Sequence, residues 1–165
     1  MGDGVAVFIG VGSNLDRVRH VRAGLDALAE TFGELQVSPV YESEAVGFDG
    51  SPFLNLVVGV RTDKSLAQLS RCLKAIELAN GRRPDAPRFS PRTLDLDILT
   101  YGDLDHPRDG VDIPRGEILL NAFVLKPLAD LAGGCRHPVD GRTYRELWQA
   151  YRSEQKLWPF PLTWP

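Results

Sequence analysis

The sequence predicts an α+β fold: a ferredoxin-like βαββαβ core with a mainly antiparallel sheet, followed by additional C-terminal helices. Three observations carry that expectation. A continuously apolar, β-branched run opens the chain at Val5–Val11. Two stretches of helical apolar spacing, each with start and stop signals, separate strand-like segments. A strict alternation, Leu94-Asp95-Leu96-Asp97-Ile98, closes the core. With 165 residues and 43% hydrophobic content, the chain suits one domain over 1–165, a core at 5–101 and an extension at 102–165. Such a chain buries roughly 70% of the surface that its unfolded form exposes.

Taken in order, Val5–Val11 lacks alternation, as a strand buried on both faces does. Gly10, Gly12, Ser13 and Asn14 then read as a turn. Asn14 or Asp16 is placed to cap a helix with the apolar stripe Val18, Val21, Leu25, Leu28 and Phe32, which Gly33 ends. Leu35–Glu42 reads as a second strand, set at an edge by Pro39, and Ser43–Pro52 has the glycine and proline content of a loop. Phe53–Thr62 sorts by period two, with Leu54, Leu56, Val58 and Val60 on one face and Phe53, Asn55, Val57 and Gly59 on the other.

Ser65 and Gln68 form a capping box ahead of Leu66, Leu69, Leu73 and Ile76, and Asn80-Gly81 closes that helix. Beyond Tyr101 come a polar loop, Gly102–Gly110, and an apolar segment, Ile118–Leu131, read as two short helices interrupted by Pro127. A last helix starts at the Thr143/Glu146 capping box. The tail LWPFPLTWP is rich in proline and can pack but not continue a helix. His137, next to Pro138, reads as structural. In this topology the helices share one face of the sheet and the other face is left for ligands.

The chemistry concentrates between Asn80 and Tyr101. Arg82, Arg83, Arg88 and Arg92 stand against the single acid Asp85, in a chain of net charge −3. The alternation that follows places Asp95 and Asp97 on one strand face, about 7 Å apart at Cα. Hard carboxylate oxygens suit Mg²⁺ and guanidinium forks suit phosphoryl groups, while a solvated edge strand beside a soluble loop is the plainer reading. On the third strand, Phe53 and Asn55 could stack on a flat heterocycle and bond its edge, or serve as core and turn residues. Glu77, at the margin of the second helix stripe, points either to solvent or toward what the arginine loop binds.

Other classes are disfavoured. Cys72 and Cys135 have no metal-ligand spacing and suggest no disulfide framework, in keeping with a cytoplasmic protein. No basic face extends beyond the arginine loop, which argues against nucleic acid. The apolar run at the start is too short to span a bilayer and has no cleavage-site flank. A monomer is expected.

Several of these residues together resemble a known family. Gly12-Ser13-Asn14-Leu15, Phe53-Leu54-Asn55, Ile76-Glu77, Gly81-Arg82, Phe123-Val124-Leu125-Lys126-Pro127-Leu128 and, most specifically, Pro91-Arg92-Thr93-Leu94-Asp95-Leu96-Asp97-Ile98-Leu99 are similar to the 6-hydroxymethyl-7,8-dihydropterin pyrophosphokinases of folate synthesis. The resemblance implies transfer of pyrophosphate from ATP to the hydroxymethyl oxygen of a reduced pterin, releasing AMP. It implies that Asp95 and Asp97 hold two Mg²⁺ ions and that Arg82 and Arg92 neutralise charge at the β-phosphorus. By the same resemblance, Phe53 and Phe123 sandwich the pterin, Asn55 reads its edge, and Ser43, Val46 and Phe89 contribute from two loops. Lys74, Glu77, Ile98 and Arg115 fall on the nucleotide side.

The chain departs from the family pattern at Arg115, where a histidine is usual, and at Asn121, where an arginine is usual. Pro84, Lys74 and Glu44 also differ from the common residues there. Alternatives are a divergent relative acting on a related pterin, or a non-catalytic pterin or nucleotide module. A nucleotidyltransferase would pair Gly-Ser with Asp-x-Asp at short spacing, unlike Ser13 and Asp95 here.

Overall fold

The computed structural model describes residues 4–44, 52–81 and 93–165. In chain order its elements are β1 (Val5–Ser13), α1 (Arg17–Phe32), β2 (Gln36–Val37), β3 (Val40–Ser43), β4 (Phe53–Thr62), α2 (Leu66–Ala79), β5 (Asp95–Tyr101), α3 (Glu117–Leu120), α4 (Ala122–Ala132), α5 (Tyr144–Ala150) and β6 (Leu157–Phe160). The strands form one sheet in the order β5-β1-β4-β3-β6, with β2 also paired to β4. Every pairing is antiparallel. The strand order around β1 is the one that the βαββαβ reading requires.

One face of the sheet carries α1 and α2. Val21, Leu25 and Leu28 from α1 and Leu66, Leu69 and Leu73 from α2 pack with Val7, Ile9, Val11, Leu54, Leu56, Val58, Leu94 and Leu96. Side chains buried to this degree each contribute about 1.5–3 kcal/mol, so this layer fixes the sheet that presents the opposite face. Both capping boxes form as their sequences predict, at Ser65/Gln68 and Thr143/Glu146. Gly33 (φ 82°) ends α1.

The structure corrects several expectations. The opposite face is not left bare: α4 and α5 cover part of it, with Leu125, Leu128, Tyr144 and Leu147 buried against Val57 and Leu99. Gly10 and Gly12 are not in a turn, because β1 runs on to Ser13 with strand partners on both sides. Ser13 is fully buried, and its hydroxyl donates to the Thr93 carbonyl at the threshold of β5. Asp16 stands at the N-cap position of α1 in a left-handed conformation (φ 49°) and makes no side-chain cap; its carboxylate pairs with Arg19 at 2.7 Å.

The second strand is split. Ser38 turns inward, bonding Val57 through its N–H and its hydroxyl oxygen, both at 2.9 Å, so the pairing with β4 is divided between β2 and β3. Nor is β3 an edge, since the tail folds back as β6 and pairs with it from Val40↔Phe160 to Ser43↔Leu157. Pro127 does not separate the two short helices. It lies inside α4, and the break falls at Asn121, whose extended backbone (φ −119°, ψ 124°) ends α3.

Candidate active site

The site face is built on absent side chains. In β1, Gly12 pairs with Asn55 of β4 on one side and with Asp95 of β5 on the other, and Gly10 pairs with Val57 and Asp97. Residues directly opposite in an antiparallel pair point to the same face. Asn55, Asp95 and Asp97 therefore border one furrow whose floor is glycine. A Cβ added at Gly12 would meet the Asn55 Nδ2 at 3.0 Å and a Phe53 ring carbon at 3.8 Å, so the position has no room for a side chain without moving the amide. Ser43, at the end of β3, donates its hydroxyl to Asn55 Oδ1 at 3.1 Å. Phe53, Asn55 and Ser43 thus form one corner of the furrow, and the two acids form the other.

The acid side is electrostatically crowded. Burial, and then the Asp95 charge, push the Asp97 carboxyl up to about 7, against the pull of Arg115. Arg115 Nη2 lies 3.6 Å from Asp97 Oδ1 and 2.7 Å from Glu117 Oε1. Its main-chain N–H donates to the Leu99 carbonyl at 2.8 Å, which seats the segment along β5. Glu77, only 9% exposed, reaches from α2 to accept the Leu96 N–H at 2.7 Å. It thereby closes a free amide of the sheet edge and adds negative charge near Asp97. Among the described residues no group of three or more His, Cys, Asp or Glu gathers as a ready metal cage. Two carboxylates of one strand face, with charge in excess, match the way Mg²⁺ is held by one or two protein acids while substrate phosphates and water complete its shell.

A family model for 7,8-dihydro-6-hydroxymethylpterin-pyrophosphokinase (HPPK) matches residues 8–133. A Pseudomonas aeruginosa 2-amino-4-hydroxy-6-hydroxymethyldihydropteridine pyrophosphokinase is 45% identical over 148 residues, covering 86% of this chain and 88% of its own. The chain belongs to the HPPK family. A second relative of the same name, from Aquifex aeolicus, is 30% identical and is covered over 94% of its length. Among solved structures, an HPPK-DHPS crystallised in complex with substrates superposes with a TM-score of 0.70 at 15% identity, and Plasmodium falciparum HPPK-DHPS with 0.67 at 14%. These establish the fold, and the chain spans 44% of each of those longer chains. As a member of the HPPK family the protein is an enzyme, an ATP-dependent diphosphotransferase.

Against this HPPK frame, the structure brings together Asp95, Asn55, Phe53 and Ser43 around Gly12, and Asp97 with Arg115. Phe123 lies in the first turn of α4, partly buried against the cluster that holds Val57 and Leu99 on the same sheet face. Lys74 is exposed on α2. The Ile98 side chain belongs to the core with Leu69 and Leu73, on the face opposite the two acids. Glu77 is a buried partner of β5 rather than a solvated helix-face acid. Val46, Arg82, Phe89 and Arg92, with Arg83, Arg88 and Pro84, lie outside the described residues.

Sequence reading missed Gly12 as the floor. The available signal was two glycines at period two inside a β-branched run, at Gly10 and Gly12. It also missed the tie between the two departures from the family pattern. Glu117 Oε1 takes Arg115, while its Oε2 accepts from Asn121 Nδ2 at 3.3 Å. Asn121 Oδ1 accepts from Gln155 of the tail at 2.9 Å, and Gln155 Oε1 accepts the Ala122 N–H at 2.8 Å.

Proposed function

We propose that the enzyme transfers the pyrophosphoryl group of ATP to the hydroxymethyl oxygen of 6-hydroxymethyl-7,8-dihydropterin, giving AMP and the pterin diphosphate, by direct in-line attack on the β-phosphorus. The hydroxymethyl oxygen forms the new bond to that phosphorus and gives up its proton to solvent, while the bond to the α–β bridging oxygen breaks and AMP leaves with that oxygen. The observation that carries the reading is the placement of two acids on one side, and a side-chain amide on the other, of the strand that carries Gly10 and Gly12. The polar edge of a pterin can sit on Asn55 and Ser43 while its hydroxymethyl group reaches toward Asp95 and Asp97. Phe53 and Phe123 are assigned to the two faces of the ring.

Phosphoryl attack by a neutral hydroxyl needs alignment and neutralisation of charge more than a covalent intermediate. Asp95 and Asp97 are the residues that would hold two Mg²⁺ ions, which when bound draw charge from the phosphoryl oxygens. Arg82 and Arg92 are assigned to the charge around the β-phosphorus, and Val46 and Phe89 to the pterin. Lys74, Glu77, Ile98 and Arg115 are assigned to the nucleotide. For Ile98 the assignment is to its main chain, since its side chain is in the core. Glu77 acts by holding β5, and Arg115 by setting the charge beside Asp97.

Product analysis tests the reading. With ATP, Mg²⁺ and the reduced hydroxymethylpterin, the expected products are AMP and a pterin diphosphate in equal amounts. Release of ADP, or nucleotide turnover indifferent to the pterin, would contradict it.

A further inference from the structure

The Glu42 carboxylate divides its oxygens between two distant elements. Its Oε1 accepts from the Trp158 indole N–H in β6, and its Oε2 pairs with Arg17 Nη1 at the start of α1. The same Arg17 nitrogen donates to the Pro52 carbonyl at 3.1 Å, and the guanidinium carbon lies 5.1 Å from the centroid of the Phe160 ring. The Arg17 and Glu42 side chains are 24% and 17% exposed, so the pair is shielded more than a surface ion pair. On one side of β3 the tail pairs Glu42↔Trp158 and Ser43↔Leu157; on the other side β4 pairs Ser43↔Phe53 and Tyr41↔Asn55.

We propose that Arg17, Glu42 and Trp158, with Phe160, are positioning residues for the pterin corner of the site. The cluster ties the end of β3 to Pro52, the residue that leads into β4, and so fixes the main chain from which Ser43, Phe53 and Asn55 project. Ser43 then holds the Asn55 amide with its oxygen toward the hydroxyl and its nitrogen over Gly12. The tail strand β6, which lies beyond the residues 8–133 matched by the family model, thereby becomes a determinant of pterin affinity. The inference rests on the assignment of Ser43, Phe53 and Asn55 to the pterin.

Sheet order separates this role from simple bracing of the fold. The cluster sits at the β3-β6 end, whereas Asp97 lies on β5 at the opposite edge, with Arg115 seated beside that strand. Loosening the cluster should therefore affect one substrate and spare the other.

Deleting the tail would strip a whole strand, so the test uses point variants. Trp158→Phe keeps a ring in β6 without the indole N–H, Arg17→Met keeps length without charge, and Arg17→Lys restores the charge. In steady-state assays of AMP release, Trp158→Phe and Arg17→Met are each expected to raise the KM for the reduced hydroxymethylpterin about five-fold or more, with the KM for ATP within about two-fold of wild type. Arg17→Lys is expected to recover part of the pterin effect. A pterin KM unchanged in both variants, or pterin and ATP KM values rising together, would overturn the inference while leaving the enzymatic reading intact. Wild-type protein that makes no pterin-dependent AMP would remove both.

Discussion

A methyl group at position 12 would crowd the Asn55 amide nitrogen, so the smallest possible change at the site floor is informative. Gly12→Ala is expected to displace Asn55, raising the pterin KM about ten-fold or more, because an aligned polar contact is lost. Its thermal stability should change little. Steady-state kinetics beside a melting curve check both, and an unchanged pterin KM would detach Gly12 from the pterin furrow. Asp97 gives a pH-dependent counterpart. Its carboxyl, raised to about 7 chiefly by burial and the Asp95 charge, binds a proton more tightly in the folded protein than in the unfolded chain. Its contribution to stability is therefore complete below the ordinary aspartate value of about 4 and is lost as pH rises through about 7. In metal-free protein, Asp97→Asn should melt higher than wild type near pH 8, with a smaller difference near pH 4. Melting curves in the presence of a chelator decide this, and a variant that melts lower near pH 8 would contradict the crowding assigned to the acid pair.

Among the elements, α1 shows how tightly the helix layer is fitted to the strand that carries the acids. A Cβ on Gly24 would lie 2.9 Å from Leu94 Cδ1, and Leu94 is fully buried immediately before β5. Gly24→Ala gains about 1 kcal/mol in helix propensity but overpacks this contact at about 1–3 kcal/mol. A net loss of stability is expected in urea unfolding, and a net gain would show that Leu94 yields without cost. Elements whose signals are local were legible in the sequence. The capping boxes at Ser65 and Thr143 form from residues three apart, and the period-two run from Leu94 to Ile98 declared its two faces on its own. Elements defined by distant partners were not. Gly12-Ser13-Asn14 has the composition of a turn, yet Gly12 and Ser13 are strand because Asn55 and Asp95 arrive on either side of Gly12. The tail, with Pro159 and Pro161, reads as a packing segment, yet Pro159 is tolerated because β6 is the edge strand of the sheet among the described residues.

At the scale of the molecule, the sheet separates the work across its width. In the proposed reaction the reduced pterin falls to Phe53, Asn55 and Ser43 toward β3 and the metals and phosphates to Asp95 and Asp97 on β5, and the β1 glycines keep the furrow between the two groups open. The C-terminal extension completes the arrangement by covering one face with α4 and α5 and by closing the sheet with β6. The shared face of the two acids and that of Phe53 and Asn55 were legible because residues two apart in a strand point the same way. The electrostatic setting of Asp97 was not, since Arg115 and Glu117 reach it only through the fold. Phosphorus NMR of the full reaction is the most direct test. Wild type with ATP, Mg²⁺ and reduced hydroxymethylpterin is expected to convert the ATP resonances to AMP and a diphosphate ester. Asp97→Asn, still binding the pterin, should leave ATP intact. Equal conversion by both proteins, or the appearance of ADP, would contradict the assignment.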